Sequence, residues 1–177
     1  MRSRLLRVLV ALAVLTGLNL AGPPAASAAP YCGLTWGSLP RSTAGATAGS
    51  FAGVRTGRHD CYDRLVVDVT APVRSFDVRY VDGLGSAVPG GAQLEVVVGT
   101  RTELSHTWMF HYDLATVTSS RTFRAVKAGH GGGETTSVWL GVRARLPFRA
   151  FVLDGGPSGS RLVVDVAHQW CVTGTTC

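Results

Sequence analysis

Asp63-Arg64-Leu65-Val66-Val67-Asp68-Val69-Thr70 is the stretch that decides the fold. It recurs near the C-terminus as Ser160-Arg161-Leu162-Val163-Val164-Asp165-Val166-Ala167. From the arginine onward, six consecutive positions match type for type. Runs of β-branched residues bounded by turn residues read as strands, and strand side chains alternate between faces. Leu65, Val67 and Val69 therefore share one face, and Arg64, Val66 and Asp68 share the other. The echo sorts Leu162, Val164 and Val166 from Arg161, Val163 and Asp165 in the same way. The apolar face is a core face, and the other carries charge. An Arg and an Asp four apart in a strand lie roughly 13 Å apart, so neither repeat closes an ion pair within itself. The repeated placement of Arg64, Asp68, Arg161 and Asp165 suggests two related binding strips, one per repeat. On that reading, replacing both arginines leaves stability nearly unchanged. The bland alternative pairs each Arg with an acid on a neighbouring strand, a contribution of about 0–1 kcal/mol if exposed.

Ahead of this unit the chain opens on a secretory pattern. Arg2, Arg4 and Arg7 form a basic start, Leu5 to Leu20 is almost wholly apolar, and Ala26-Ser27-Ala28 follows the breaker Pro23-Pro24. This predicts a signal peptide over 1–28, cleaved after Ala28. No later apolar run is long enough to span a bilayer. The mature chain, about 150 residues, suits one domain. Losing the three leading arginines takes the formal charge from +6 to about +3. That balance, with no basic cluster, argues against nucleic acid.

Four cysteines remain after export: Cys32, Cys61, Cys171 and Cys177. An even count in an exported domain predicts two disulfides, with three possible connectivities. The favoured one is Cys32–Cys61 and Cys171–Cys177. The first ties a loop-rich N-terminal segment to the start of the first signature strand, and the second closes a short tail loop.

Tyr31 to Gly57 is rich in Gly, Ala, Ser and Thr, with Trp36 and Leu39 among its few large apolar anchors before Phe51. It reads as a lead-in arm packed on the domain edge. Beyond the first signature strand, further strands are predicted over Ser75–Val81, Gln93–Val98, His106–Tyr112, Thr122–Lys127, Thr136–Arg145 and Pro147–Leu153. His130-Gly131-Gly132-Gly133 reads as a flexible turn, and Asp113–Val117 is the one helical candidate. About eight short strands with frequent turns predict an all-β domain, a sandwich or barrel. The expected layout is a signal peptide over 1–28 and a Gly/Ala/Ser-rich arm over 29–50. A β-sandwich domain follows over 51–170, then a Cys-containing tail over 171–177.

Catalytic signatures are missing. There is no nucleophile elbow, zinc-binding His-Glu-x-x-His, phosphate loop or dinucleotide fingerprint. His106 and His111 are five apart and point to opposite strand faces, so they do not jointly hold a metal. Asp60, Asp63 and Asp68 invite a carboxylate-pair hydrolase, but read more simply as solvated turn and strand-end acids. No catalytic residue, cofactor or metal is expected.

Three segments resemble, in order, the signature of the AMIN-like family of exported bacterial proteins. They are Gly57-Arg58-His59-Asp60-Cys61-Tyr62-Asp63-Arg64-Leu65-Val66-Val67-Asp68, then Gly141-Val142-Arg143-Ala144-Arg145-Leu146-Pro147-Phe148-Arg149, then Ser160 to His168. The resemblance runs roughly from Ser50 to His168. It implies likeness to the AMIN domain of periplasmic amidases and secretin pores, a β-sandwich of two similar sheets that targets peptidoglycan. That domain's outward Arg and Asp fall on Arg64 and Asp68, and on Arg161 and Asp165. This chain departs from it in three ways. No amidase or secretin segment accompanies the motif, cysteines are added, and the stretch around His59 and Tyr62 belongs to the AMIN-like group alone.

The leading expectation is a secreted, cell-wall-associated, non-catalytic module that binds peptidoglycan or cell-wall glycan. Arg64, Asp68, Arg161 and Asp165 would bond hydroxyls, amides and carboxylates, His59 would sit alongside, and Trp36 or Tyr62 would stack on a sugar ring. The alternatives are an envelope protein-interaction or structural module, and an unrecognised secreted hydrolase.

Overall fold

The computed structural model describes residues 31–83, 87–101, 112–156 and 159–170, the side chains of 130–132 excepted. Among these residues the chain forms nine strands. They are β1 (Arg41–Thr43), β2 (Phe51–Arg58), β3 (Tyr62–Val69), β4 (Phe76–Val81), β5 (Ala92–Val98), β6 (Phe123–Gly132), β7 (Thr135–Val142), β8 (Phe148–Asp154) and β9 (Ser160–Ala167). Two antiparallel sheets result, a five-stranded one in the order β1-β4-β5-β7-β6 and a four-stranded one in the order β2-β3-β9-β8. The fold is the expected all-β sandwich.

The two signature strands are β3 and β9, and they are neighbours. Their antiparallel register sets Leu65 against Val164, Val67 against Leu162, Arg64 against Asp165, and Asp68 against Arg161. Two copies of one motif laid antiparallel put the Arg of each opposite the Asp of the other. The charged positions thus form one continuous face rather than two separate strips.

Burial follows the alternation on β3, where Leu65 and Val67 are inaccessible and Arg64, Val66 and Asp68 are intermediate. Leu162, Val164 and Val166 of β9 complete that side of the core. Phe76, Val78, Leu94, Val96, Val98, Val138 and Leu140 supply the facing layer. Burying each such side chain is worth about 1.5–3 kcal/mol. On β9 the alternation fails, because Val163 and Asp165 on the outer side are also buried. β9 is flanked by β3 and β8, and Phe151 of β8 pairs with Val163 in register.

Several boundaries differ from expectation. Residues 51–57, read as the end of the loop-rich lead-in, belong to β2, the edge strand beside β3. Its sequence, Phe51-Ala-Gly-Val-Arg-Thr-Gly-Arg58, has weak strand propensity, and the β3 ladder imposes the strand. Gly53, at φ 147°, sits where the register shifts, a conformation glycine tolerates. β6 runs on through Gly132, so the turn is only Gly133-Glu134 and His130 lies within a strand. Asp113–Val117 is not helical, and Asp113 instead bridges Lys127. Most of the aromatic strand expected over 106–112 lies outside the described residues, with both His106 and His111. So do the expected signal peptide, Cys171 and Cys177. No helix among the described residues is long and apolar enough to cross a membrane.

Candidate functional site

The outer face of the four-stranded sheet gathers most of the residues singled out from the sequence. Its rows follow from register. Gly57, Arg64, Asp165 and Arg149 lie side by side across β2, β3, β9 and β8, and Gly53, Asp68, Arg161 and Leu153 form a parallel row further along. A carboxylate with no solvent contact anchors the first row. Asp165 accepts hydrogen bonds from Arg64 Nε (2.7 Å) and Nη2 (2.9 Å), and from Arg149 Nε (2.9 Å). A buried carboxylate is tolerated only when paired in this way. Its hydrogen bonds raise the Arg64 guanidinium above the ordinary arginine value.

Aromatic rings surround these two guanidiniums. Arg149 lies 4.5 Å from the Trp36 ring centre and 4.9 Å from that of Phe151, and Arg64 lies 5.4 Å from that of Tyr62. Tyr62 contacts Trp36 with centroids 5.5 Å apart and stacks on His59 at 4.6 Å. Each such cation–π contact contributes about 0.5–1 kcal/mol at an exposed site. The arm delivers Trp36 to this patch. Upstream, the Cys32–Cys61 disulfide fastens it next to Tyr62. Downstream, Phe148 N donates to Gly37 O at 2.8 Å. His59, Tyr62, Trp36, Arg64 and Asp165 are thus brought together. Sequence reasoning missed two members of the patch, Arg149 and Phe151. Their alternation along β8 was readable, but not their position beside Asp165.

Asp68 and Arg161 sit at the other end of the face. Asp68 is held by Arg55 in a two-pronged bond of 2.7 and 2.8 Å, and this hydrogen bonding raises the Arg55 guanidinium. Arg161 lies opposite Asp68 in register but makes no ion pair among the described residues. An open depression of about 340 Å³ lies here, lined by Arg55, Asp68, Thr70, Ser160 and Arg161 among others.

The sequence matches the AMIN-like domain over residues 49–168, more than half of the chain. This chain belongs to the AMIN-like domain family. It is thereby a cell-envelope-associated module, of a family whose domains generally bind or target rather than catalyse. No curated protein matches it.

Within this AMIN-like domain the signature residues divide between two tasks. Tyr62, Arg64, Arg149 and Asp165 build the outer patch. Asp63, read from the sequence as solvated, is instead inaccessible and points inward. It accepts from Thr122 N at 2.5 Å and Phe123 N at 3.3 Å, and its other oxygen lies 3.2 Å from His168 Nε2. His168 Nδ1 is 3.2 Å from Asp60 O. Arg143 closes the cluster by donating to His168 O from its side chain and to Thr122 O from its amide (2.9 Å). These bonds clasp the start of β6 to the other sheet. Asp63 and Asp68 thus occupy opposite faces of β3, so these two carboxylates do not flank one scissile bond. Gly141 allows a close approach, since a Cβ there would lie 1.9 Å from Pro89 O. Arg145 stacks on Tyr80 at 4.8 Å, and Tyr80 both donates to Leu146 O and accepts from Leu146 N.

Proposed function

We propose that this protein is a secreted, non-catalytic cell-wall-binding module, and that it holds peptidoglycan glycan on the outer face of the four-stranded sheet. One observation carries the reading: two guanidiniums share a single buried carboxylate beneath the rings of Trp36, Tyr62 and Phe151. That arrangement leaves a net positive, ring-lined surface. A sugar ring can stack on Trp36 or Tyr62, while the spare N–H groups of Arg64 and Arg149 donate to hydroxyl, amide or carboxylate oxygens. Membership of an envelope-associated family supports the same reading.

Sedimentation with purified sacculi tests it. The wild-type mature chain should pellet with sacculi. Trp36→Ala combined with Arg149→Gln should stay in the supernatant while keeping a cooperative melting transition. A wild-type chain that remains soluble in the presence of sacculi overturns the proposal and favours an envelope protein as partner.

A further inference from the structure

The outer face holds not one cationic cluster but two, built to the same stoichiometry. At one end Arg64 and Arg149 share Asp165. At the other, Arg55 binds Asp68 and Arg161 stands across from it in register. Each cluster sets two guanidiniums against one carboxylate and so retains one uncompensated positive charge. Asp154, at the end of β8, turns its carboxylate back onto the Gly156 amide at 2.9 Å. The antiparallel pairing of β3 with β9 generates the duplication, because it sets Arg64 against Asp165 and Arg161 against Asp68. The clusters are four residues apart along the strands, roughly 13 Å. Among the described residues, only the first is walled by aromatic rings, and only the second opens into the depression beside Thr70 and Ser160.

From this geometry we infer that the face takes a linear anionic glycan lengthwise, with one acidic group at each cluster. The ring-lined end stacks on a sugar and pairs its carboxylate with Arg64 and Arg149. The open end pairs a second carboxylate, further along the same chain, with Arg161 and Arg55. Each contact alone is a weak, salt-sensitive surface pair. Joined through one polymer, the second becomes intramolecular, and affinity rises without any new kind of contact. This inference rests on the reading of the face as a cell-wall-binding surface, and it adds that the ligand is acidic and engaged at two points.

Calorimetric titration of the mature chain with oligogalacturonates tests it, using a monomer and a hexamer, with neutral chitohexaose as control and sacculi sedimentation run in parallel. The hexamer should bind at least about tenfold more tightly than the monomer, and chitohexaose should bind more weakly than the acidic hexamer. Arg161→Gln should bring the hexamer's affinity down to about that of the monomer. Equal affinities for monomer and hexamer overturn two-point engagement. So does an Arg161→Gln variant that binds the hexamer like wild type. Equal binding of chitohexaose overturns the requirement for acid. If any of these occurs while wild type still pellets with sacculi, the two-point acidic inference falls and the cell-wall reading stands. If wild type fails to pellet, the cell-wall reading itself falls.

Discussion

Arg64 and Asp165 face one another across the β3–β9 ladder, joined by hydrogen bonds of 2.7 and 2.9 Å, with the carboxylate wholly buried and the guanidinium side chain 25% exposed. Arg64 is the arginine of one repeat and Asp165 the aspartate of the other, so each repeat supplies half of the pair. This changes what a substitution does. Arg64→Ala leaves a buried carboxylate with Arg149 as its remaining partner, and should cost about 1–3 kcal/mol. Arg161→Ala removes an exposed side chain and should stay within about 0.5 kcal/mol. Urea denaturation of the two single variants measures the difference. Equal midpoints would show that the Arg64 pair contributes no more than a surface contact.

Asp63 should be the more damaging acid to remove. Asp63→Ala strands two backbone amides and His168 around an empty buried position, and each buried donor left unsatisfied costs about 1–3 kcal/mol. Asp63→Asn keeps the shape and should be milder. Melting temperatures of both rank the effect, and a wild-type transition for Asp63→Ala would mean that the clasp between the sheets is dispensable.

Burial pushes the Tyr80 hydroxyl up to about 12, against an ordinary value near 10. The folded state therefore favours the neutral phenol. The resulting stability is fully present below pH about 10 and is lost as pH climbs through about 12, a change of about 2–3 kcal/mol. Thermal melts across this alkaline window should fall more steeply for wild type than for Tyr80→Phe. Parallel slopes would assign the alkaline loss to other groups.

The Cys32–Cys61 bridge spans a sequence separation of 29 residues. On the chain-entropy account, closing a loop of that length contributes about 3–4 kcal/mol. Cys32→Ser with Cys61→Ser should lower the unfolding free energy by that order. Peptide mapping of the native chain should show a Cys32–Cys61 linkage and, as the companion expectation, a Cys171–Cys177 linkage. A peptide joining Cys32 to the tail would contradict the pairing.

Val67 packs against its neighbours with no solvent contact. Val67→Asp puts an unpaired charge into that layer at a cost of several kcal/mol, enough to consume most of a domain's net stability. The variant should lack a cooperative transition in circular dichroism melts. A wild-type melt would reverse the assignment of the β3 faces.

The sequence by itself determined the class of fold and the inward face of both signature strands, and it favoured the Cys32–Cys61 bridge that the structure holds. These depend on short-range rules. A two-residue alternation declares which side of a strand is apolar, whatever the strand pairs with, and cysteine parity limits the connectivities. Only the tertiary structure decided what the charged side does. No local signal says that β3 and β9 are neighbours, or that they run antiparallel. Yet that pairing turns Asp165 from a solvent-facing acid into a buried anchor for two arginines. It also places Arg149 and Phe151, unremarkable along β8, beside Trp36 and Tyr62. Asp63 was hidden for a similar reason. The clasp that buries it comes from Thr122, 59 residues away, and from His168, 105 residues away. Contacts at such separations are set by how the sheets stack, which no local window of sequence contains. β2 is the converse case, since a glycine-spaced segment with little strand propensity becomes a strand because the open edge of β3 offers it a ladder of hydrogen bonds.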